Sequence, residues 1–271
     1  MTVEKNLIDK LKKLNLSKYP IKEIEDILKE CGKLVMVETS LHKGKNIIRA
    51  RPNKTNMSFN TVSELSYKPA NCNTTFQRAS TPNETMFYGC VIPEKKSKEE
   101  FNNAMVTATL ESSNLCRKDI ENGAERITFS RWCVTEDIPL IAIVYNKNFI
   151  IKSPHTNELY SEYKTFLEKN PKKFVSNNIL CKYLADEFAK KETNYDYDYL
   201  ISAIFTELVT SQGFAGVYYP SVRAEGYGFN VAIHPKFVDN NMKIIESSEC
   251  TLYKNGKDLI LNNEKITNKF I

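Results

Sequence analysis

Gly216-Val217-Tyr218-Tyr219-Pro220-Ser221-Val222-Arg223 is the stretch from which the fold can be read. Valine and two tyrosines behind a glycine have the composition of a short strand. Pro220 fixes the backbone and ends the run, so the strand delivers Ser221 and Arg223 to a sheet edge or cleft. Upstream, Leu200, Ile201, Ile204, Phe205, Leu208 and Val209 recur in i, i+1, i+4, i+5 order. That spacing predicts a helix over 199–212, with Gly213 as its stop. Downstream, 229–233 and 242–245 read as strands, and 251–262 as a hairpin turning at Asn255-Gly256. This mixture predicts an α+β domain with mixed or antiparallel strands and helices wrapped around them.

The N-terminal forty residues read as helical. Leu7, Ile8, Leu11 and Leu14 keep helical spacing; Pro20 opens a second helix over 21–31 through Ile24, Ile27 and Leu28, and Gly32 closes it. Residues 1–44 are therefore expected to form a helical extension to a main domain over 45–271. In that domain 46–50 is a short strand, the polar stretch to Asn83 is loop, and 85–92 is a strand. Residues 97–113 follow as a helix, capped by Ser97, with Glu99 and Glu100 in its first turn and Phe101, Ala104, Met105 and Ala108 as its stripe. Strands 125–134 and 138–145, joined by Thr135-Glu136-Asp137, are expected to pair as a hairpin. Residues 158–189 are helix-rich and lie in an insertion spanning 153–194.

Composition narrows the class. At 271 residues, 41% hydrophobic and 26% charged, the chain has globular proportions and room for a sizeable core. A net charge of +5 with dispersed lysines suits an anionic ligand and is not the footprint of a strongly basic nucleic-acid binder. Seven widely spaced cysteines include no C-x-x-C pair, and the N-terminus has no secretory apolar core. The apolar run 138–145 is too short to span a bilayer. A cytoplasmic protein with reduced thiols and no membrane association is expected. His42, His155 and His234 lack metal-ligand spacing, and neither a phosphate-binding loop nor a nucleophile elbow occurs, so no metal site is expected.

The candidate chemistry lies in three separated stretches and one helix. In Phe76-Gln77-Arg78-Ala79-Ser80-Thr81-Pro82-Asn83, running into Met86-Phe87-Tyr88-Gly89, a turn brings Arg78 and Tyr88 toward one cleft. A guanidinium suits a diphosphate through paired hydrogen bonds, a phenol ring can stack on a cationic aromatic ligand, and Gly89 would admit a ligand close to the backbone. Glu111 borders the apolar stripe of its helix. It is either an ion-pair partner of Arg49, Arg51 or Arg78, or a carboxylate placed to stabilise an oxocarbenium-like transition state. Arg49 and Arg51, one residue apart on a strand, share a face suited to an anion; alternatively one of them pairs with Glu64. Ser221, Arg223 and Asn230 could add polar contacts to a carboxamide or ribose.

Read together, these pieces resemble the RES domain family. Ile48-Arg49-Ala50-Arg51 is similar to its early Y-R-A-R-like strand, and 77–83 with Phe87-Tyr88-Gly89 to its turn and aromatic-Tyr strand. Thr107-Ala108-Thr109-Leu110-Glu111 resembles its T-A-x-x-E helix end, and 216–223 its G-I-x-Y-P-S stretch. The resemblance runs from Lys45 to Pro235. It departs at Gln77, where glycine is common, and in the long spacer before Glu111, which leaves Glu99 or Glu100 as the alternative carboxylate. It implies an ADP-ribosyltransferase-like fold acting on NAD as substrate, with no cofactor. The expected chemistry is cleavage of the nicotinamide N-glycosidic bond by phosphorolysis or hydrolysis, in a toxin neutralised by an Xre-like antitoxin; some relatives transfer ADP-ribose to protein. Arg49 and Arg78 would then hold the phosphates or ribose, Tyr88 would stack on nicotinamide, Glu111 would stabilise the ribosyl cation and Ser221 would fix the substrate.

Overall fold

The computed structural model describes the chain except for residues 1–2, 33, 54–56, 60, 93–103, 119, 171–173, 192 and 268–271. The two expected N-terminal helices are present as α1 (Val3–Lys13) and α2 (Ile21–Glu30), and Gly32 follows at φ +69°. Their apolar faces are buried through Leu7, Ile8, Leu11, Ile24 and Leu28. The extension does not stay helical to residue 40, however. Val37–Leu41 is strand β1, and it forms one edge of the main sheet. Alternation of Val37, Thr39 and Leu41 with polar residues is the strand period that the helical reading passed over.

The other strands are β2 (Asn46–Pro52), β3 (Phe87–Val91), β4 (Asn122–Val134), β5 (Ile138–Ala142), β6 (Gly216–Pro220), β7 (Phe229–Ile233), β8 (Met242–Asn255) and β9 (Asp258–Thr267). Among the described residues they form one nine-stranded sheet, ordered β1-β5-β6-β7-β3-β2-β4-β8-β9. Every neighbouring pair is antiparallel except β5 and β6, whose Ile141 and Ala142 face Val217 and Tyr218 in parallel. The sheet with its helices is the expected α+β mixture. The hairpin at Asn255-Gly256 is present, with Gly256 at φ +57°.

The expected hairpin between 125–134 and 138–145 does not form. β4 lies between β2 and β8, whereas β5 lies between β1 and β6. The intervening turn is bonded elsewhere: Asp137 accepts from the backbone N–H of Lys43 at 2.8 Å, and Thr135 donates its N–H to Asn241 at 2.8 Å.

Helices α3 (Val62–Leu65), α4 (Ala104–Ser112), α5 (Asn114–Arg117), α6 (Lys147–Lys152), α7 (Pro154–Glu168), α8 (Phe174–Phe188), α9 (Leu200–Ser211) and α10 (Pro235–Asn241) complete the fold. Within the polar stretch read as loop, Thr61 and Glu64 form a capping box on α3. The N-terminal part of the helix expected over 97–113, with Ser97, Glu99, Glu100 and Phe101, lies outside the described residues. α1 packs on α8 and α2 on α9, so the extension and the insertion meet on one side of the sheet. Strand alternation sorts the two faces. Ile47, Phe87, Val91, Val231 and Ile233 join the core beneath those helices, while Cys90 packs with Ala104, Ala108, Ile127 and Phe129 on the α4 side. Trp132 is buried in the larger core, edge-on to Phe87 at 5.2 Å, an arrangement that adds about 1 kcal/mol beyond area burial.

Candidate functional site

Strand register builds the floor of the site. Ile48 pairs with Cys90, Cys90 with Asn230, and Asn230 with Tyr219, giving a row of four across β2, β3, β7 and β6. All four line one cavity of about 500 Å³. α4 crosses β2 and β3 and brings Ala108, Glu111 and Ser112 to its wall. The approach of α4 depends on Gly228, which sits at φ +72°; a Cβ there would lie 2.3 Å from Thr107 Oγ1. Gly89 lines the cavity, as its expected role beside a ligand requires, and it has a second reason to be glycine. A Cβ at that position would meet Ile47 Cγ2 at 2.4 Å, so packing on the core face also requires the glycine.

Glu111 is held by one of its oxygens. Oε1 accepts from Ser221 Oγ at 2.6 Å, from Asn230 Nδ2 at 2.9 Å and from the backbone N–H of Arg223 at 3.4 Å. Among the described residues Oε2 has no hydrogen-bond partner, and Glu111 forms no ion pair with Arg49, Arg51 or Arg78. The carboxylate is thus fixed by uncharged donors, with one oxygen left for something else. Ser221 itself is wholly buried and does not line the cavity; its oxygen also accepts from the Ala224 N–H at 3.1 Å. The residue expected to touch substrate instead positions Glu111. Asn230 is oriented in turn by the Cys90 thiol, which donates to Oδ1 at 3.1 Å and so directs the amide NH₂ toward Glu111. Burial, reinforced by Glu111, pushes the Cys90 thiol well up, so it remains a protonated donor rather than a nucleophile.

Arg78 and Tyr88 meet as the turn reading required. The Thr81-Pro82-Asn83-Glu84 turn closes with Glu84 N–H on the Thr81 carbonyl at 3.1 Å, and Asn83 takes φ +66°, a position asparagine tolerates. Just before it, Gln77 and Ser80 bridge each other and leave Arg78 and Ala79 at the tip of a tight loop. Tyr88 clamps that tip: its hydroxyl accepts from the Ala79 N–H at 3.0 Å and bonds Ser80 Oγ at 2.8 Å. Burial pushes the Tyr88 hydroxyl up to about 12, keeping it protonated. The Arg78 guanidinium donates to the carbonyls of Phe188 and Lys190, the latter at 2.9 Å, and lies 5.3 Å over the Tyr199 ring. It thereby satisfies a carbonyl at the C-terminus of α8 that has no partner within the helix.

Arg49 donates to the Tyr88 carbonyl at 2.8 Å and lies 5.3 Å over Phe87, while its buried Nε has no hydrogen-bond partner among the described residues. Burial first, then the neighbouring Arg51 charge, lowers its guanidinium to about 10. An anion in the cavity would offset that cost. Arg51 does not share the site. It lies 4.5 Å over Phe59, away from the cavity, and Glu64 partly counters the lowering of its pKa by burial.

Arg49, Arg78, Tyr88, Glu111, Arg223 and Asn230 therefore converge on one cavity, and Arg51 and Ser221 do not. Sequence reading missed the rim, where Arg117 and the segment Thr193–Tyr199 contribute. Its signal was the alternation Tyr195-Asp196-Tyr197-Asp198-Tyr199, aromatic rings and acids just ahead of the clearest helix. Four arginines (49, 78, 117 and 223) and two carboxylates (Glu111 and Asp196) line the cavity. None of the four arginines forms an ion pair among the described residues. An excess of guanidinium charge without protein counter-ions is the electrostatic complement of a diphosphate. No family model matches the chain, and no curated protein matches it.

Proposed function

We propose that this chain binds NAD and cleaves the bond between nicotinamide and ribose, within an ADP-ribosyltransferase-like fold of the RES type. The observation that carries the reading is the shared cavity: among the described residues, Glu111 keeps one oxygen without a hydrogen-bond partner in a cavity also lined by arginines that form no ion pair. As the C–N bond breaks, its electron pair passes to the nicotinamide nitrogen and the ribose carbon gains positive charge. Glu111, held by Ser221, Asn230 and Arg223, stabilises that charge without reorganising. Arg49 and Arg78 hold the diphosphate, and Tyr88 braces the loop that carries Arg78. An oxygen of water or phosphate then bonds the ribose carbon and releases a proton to Glu111 or solvent. The resemblance adds the setting: a cytoplasmic toxin restrained by an Xre-like antitoxin.

Mass spectrometry of products after incubation with NAD, with and without phosphate, tests the reading. ADP-ribose-1″-phosphate or free ADP-ribose supports it and identifies the acceptor; an ADP-ribosylated protein would make the chain a transferase. Binding of NAD without nicotinamide release would reduce it to a non-catalytic module. Turnover that survives in both Glu111→Gln and Arg78→Ala would remove the site assignment.

A further inference from the structure

The rim of the cavity at Tyr195 carries an arrangement that cleavage of the glycosidic bond does not use. Tyr195 lines the cavity yet is 60% exposed. One face of its ring is covered by Tyr197, stacked at 4.9 Å and 12°. Tyr197 meets Tyr19 edge-on at 6.1 Å, and Tyr19 lies 6.1 Å from Phe76, another cavity residue. The series is fixed by Asp196. Its Oδ1 accepts from the Tyr19 hydroxyl at 2.6 Å, and its Oδ2 from the Phe76 N–H at 3.4 Å. Tyr19 belongs to the link between α1 and α2, where it caps a single 3₁₀ turn at φ +51°. An L-residue holds that backbone conformation only when its surroundings compensate, and the Asp196 bond and the two ring contacts do so here.

We propose that this aromatic series is a stacking platform for the purine base of a dinucleotide, with Tyr195 contacting the base and Tyr19 positioning the platform. The proposal rests on the NAD reading for the identity of the dinucleotide, but the platform itself would serve any adenine nucleotide that reaches the cavity. A parallel Tyr195–Tyr197 pair leaves the outer face of Tyr195 open to a planar ring, and stacking on such a face does not depend on hydrogen-bond readout of the base. The N-terminal extension then becomes part of the substrate site, because Tyr19 comes from it. It also sets a length requirement. A mononucleotide fills the Glu111 end alone, and only a dinucleotide reaches both ends.

The test compares NAD with nicotinamide mononucleotide as substrates, and AMP with ADP-ribose as ligands, for wild type, Tyr195→Ala, Tyr195→Trp and Tyr19→Phe. Tyr195→Ala should raise KM for NAD about tenfold and leave that for the mononucleotide unchanged, while Tyr195→Trp restores the wild-type value. Tyr19→Phe should fall between the two and keep kcat. Calorimetric binding of ADP-ribose should weaken about tenfold in Tyr195→Ala regardless of whether any nicotinamide is released. If neither substrate is cleaved but ADP-ribose binding still depends on the Tyr195 ring, the catalytic reading fails and the platform stands. Equal losses on NAD and the mononucleotide, or ADP-ribose binding that is absent or indifferent to Tyr195, overturns the platform.

Discussion

Ser221 Oγ lies 2.6 Å from Glu111 Oε1; this buried hydroxyl spends its one proton on Glu111 and accepts from the Ala224 N–H. Its role is orientation. A hydrogen bond to a charged group contributes roughly 1.5–3 kcal/mol, so Ser221→Ala should slow nicotinamide release by about 10- to 100-fold. KM should change little, since no substrate contact is lost. Steady-state kinetics decides the matter: a raised KM at constant kcat would show that Ser221 touches the substrate after all.

Arg78 joins the cavity to the end of α8 through two backbone carbonyls, a geometry that a planar fork meets and an ammonium does not. Arg78→Lys should therefore lower folding stability by about 1–3 kcal/mol as well as weaken nucleotide binding. Chemical denaturation of the purified variant measures the first effect. An unchanged midpoint would mean that the α8 carbonyls are satisfied without the guanidinium.

Arg49 carries the opposite expectation. Among the described residues its buried charge has no carboxylate partner and its Nε no hydrogen-bond partner, so the site costs the folded protein free energy. Arg49→Met should bind ADP-ribose at least about tenfold more weakly while melting no lower than wild type. Calorimetry and thermal denaturation together test this trade-off, and a variant that binds normally would disprove it.

A pH effect follows from Glu187, on α8 beside Lys190. Burial raises its carboxyl above the usual 4.5, and Lys190 only partly opposes the shift. The folded chain therefore holds this proton more tightly than the unfolded chain does. Stability should fall as pH climbs from about 4.5 through the raised value, because over that window unfolding releases the proton. Glu187→Gln lacks the effect, so its denaturation midpoint should rise relative to wild type between pH 4 and pH 7, to be read from paired urea titrations. A constant difference across that range is the result that would count against it.

What the sequence disclosed depended on whether the information was local. The pattern through Leu200 and Val209 defined α9, and the Pro82-Asn83 turn placed Arg78 near Tyr88, because spacing and turn chemistry act over a few residues. Pairing is not local. Thr135-Glu136-Asp137 has the composition of a hairpin turn, yet His42 and Lys43 engage Asp137 and the chain moves to the far side of the sheet. The near-continuous apolar run of 138–145 did carry a hint, since strands with both faces buried lose their alternation. Side-chain direction was equally hidden. Ser221 and Arg51 had suitable chemistry, but one turned under α4 toward Glu111 and the other onto Phe59.

The cavity floor has one consequence for how the protein is made. Its four residues, at positions 48, 90, 219 and 230, are adjacent in space only because β6 and β7 come back to lie against β3. A ribosome must reach Asn230 before that surface can exist, and contacts so distant in sequence form late and slowly. Any translation product that stops short of Asn230 lacks one of the four floor residues, so the pocket cannot be complete until β7 has been made.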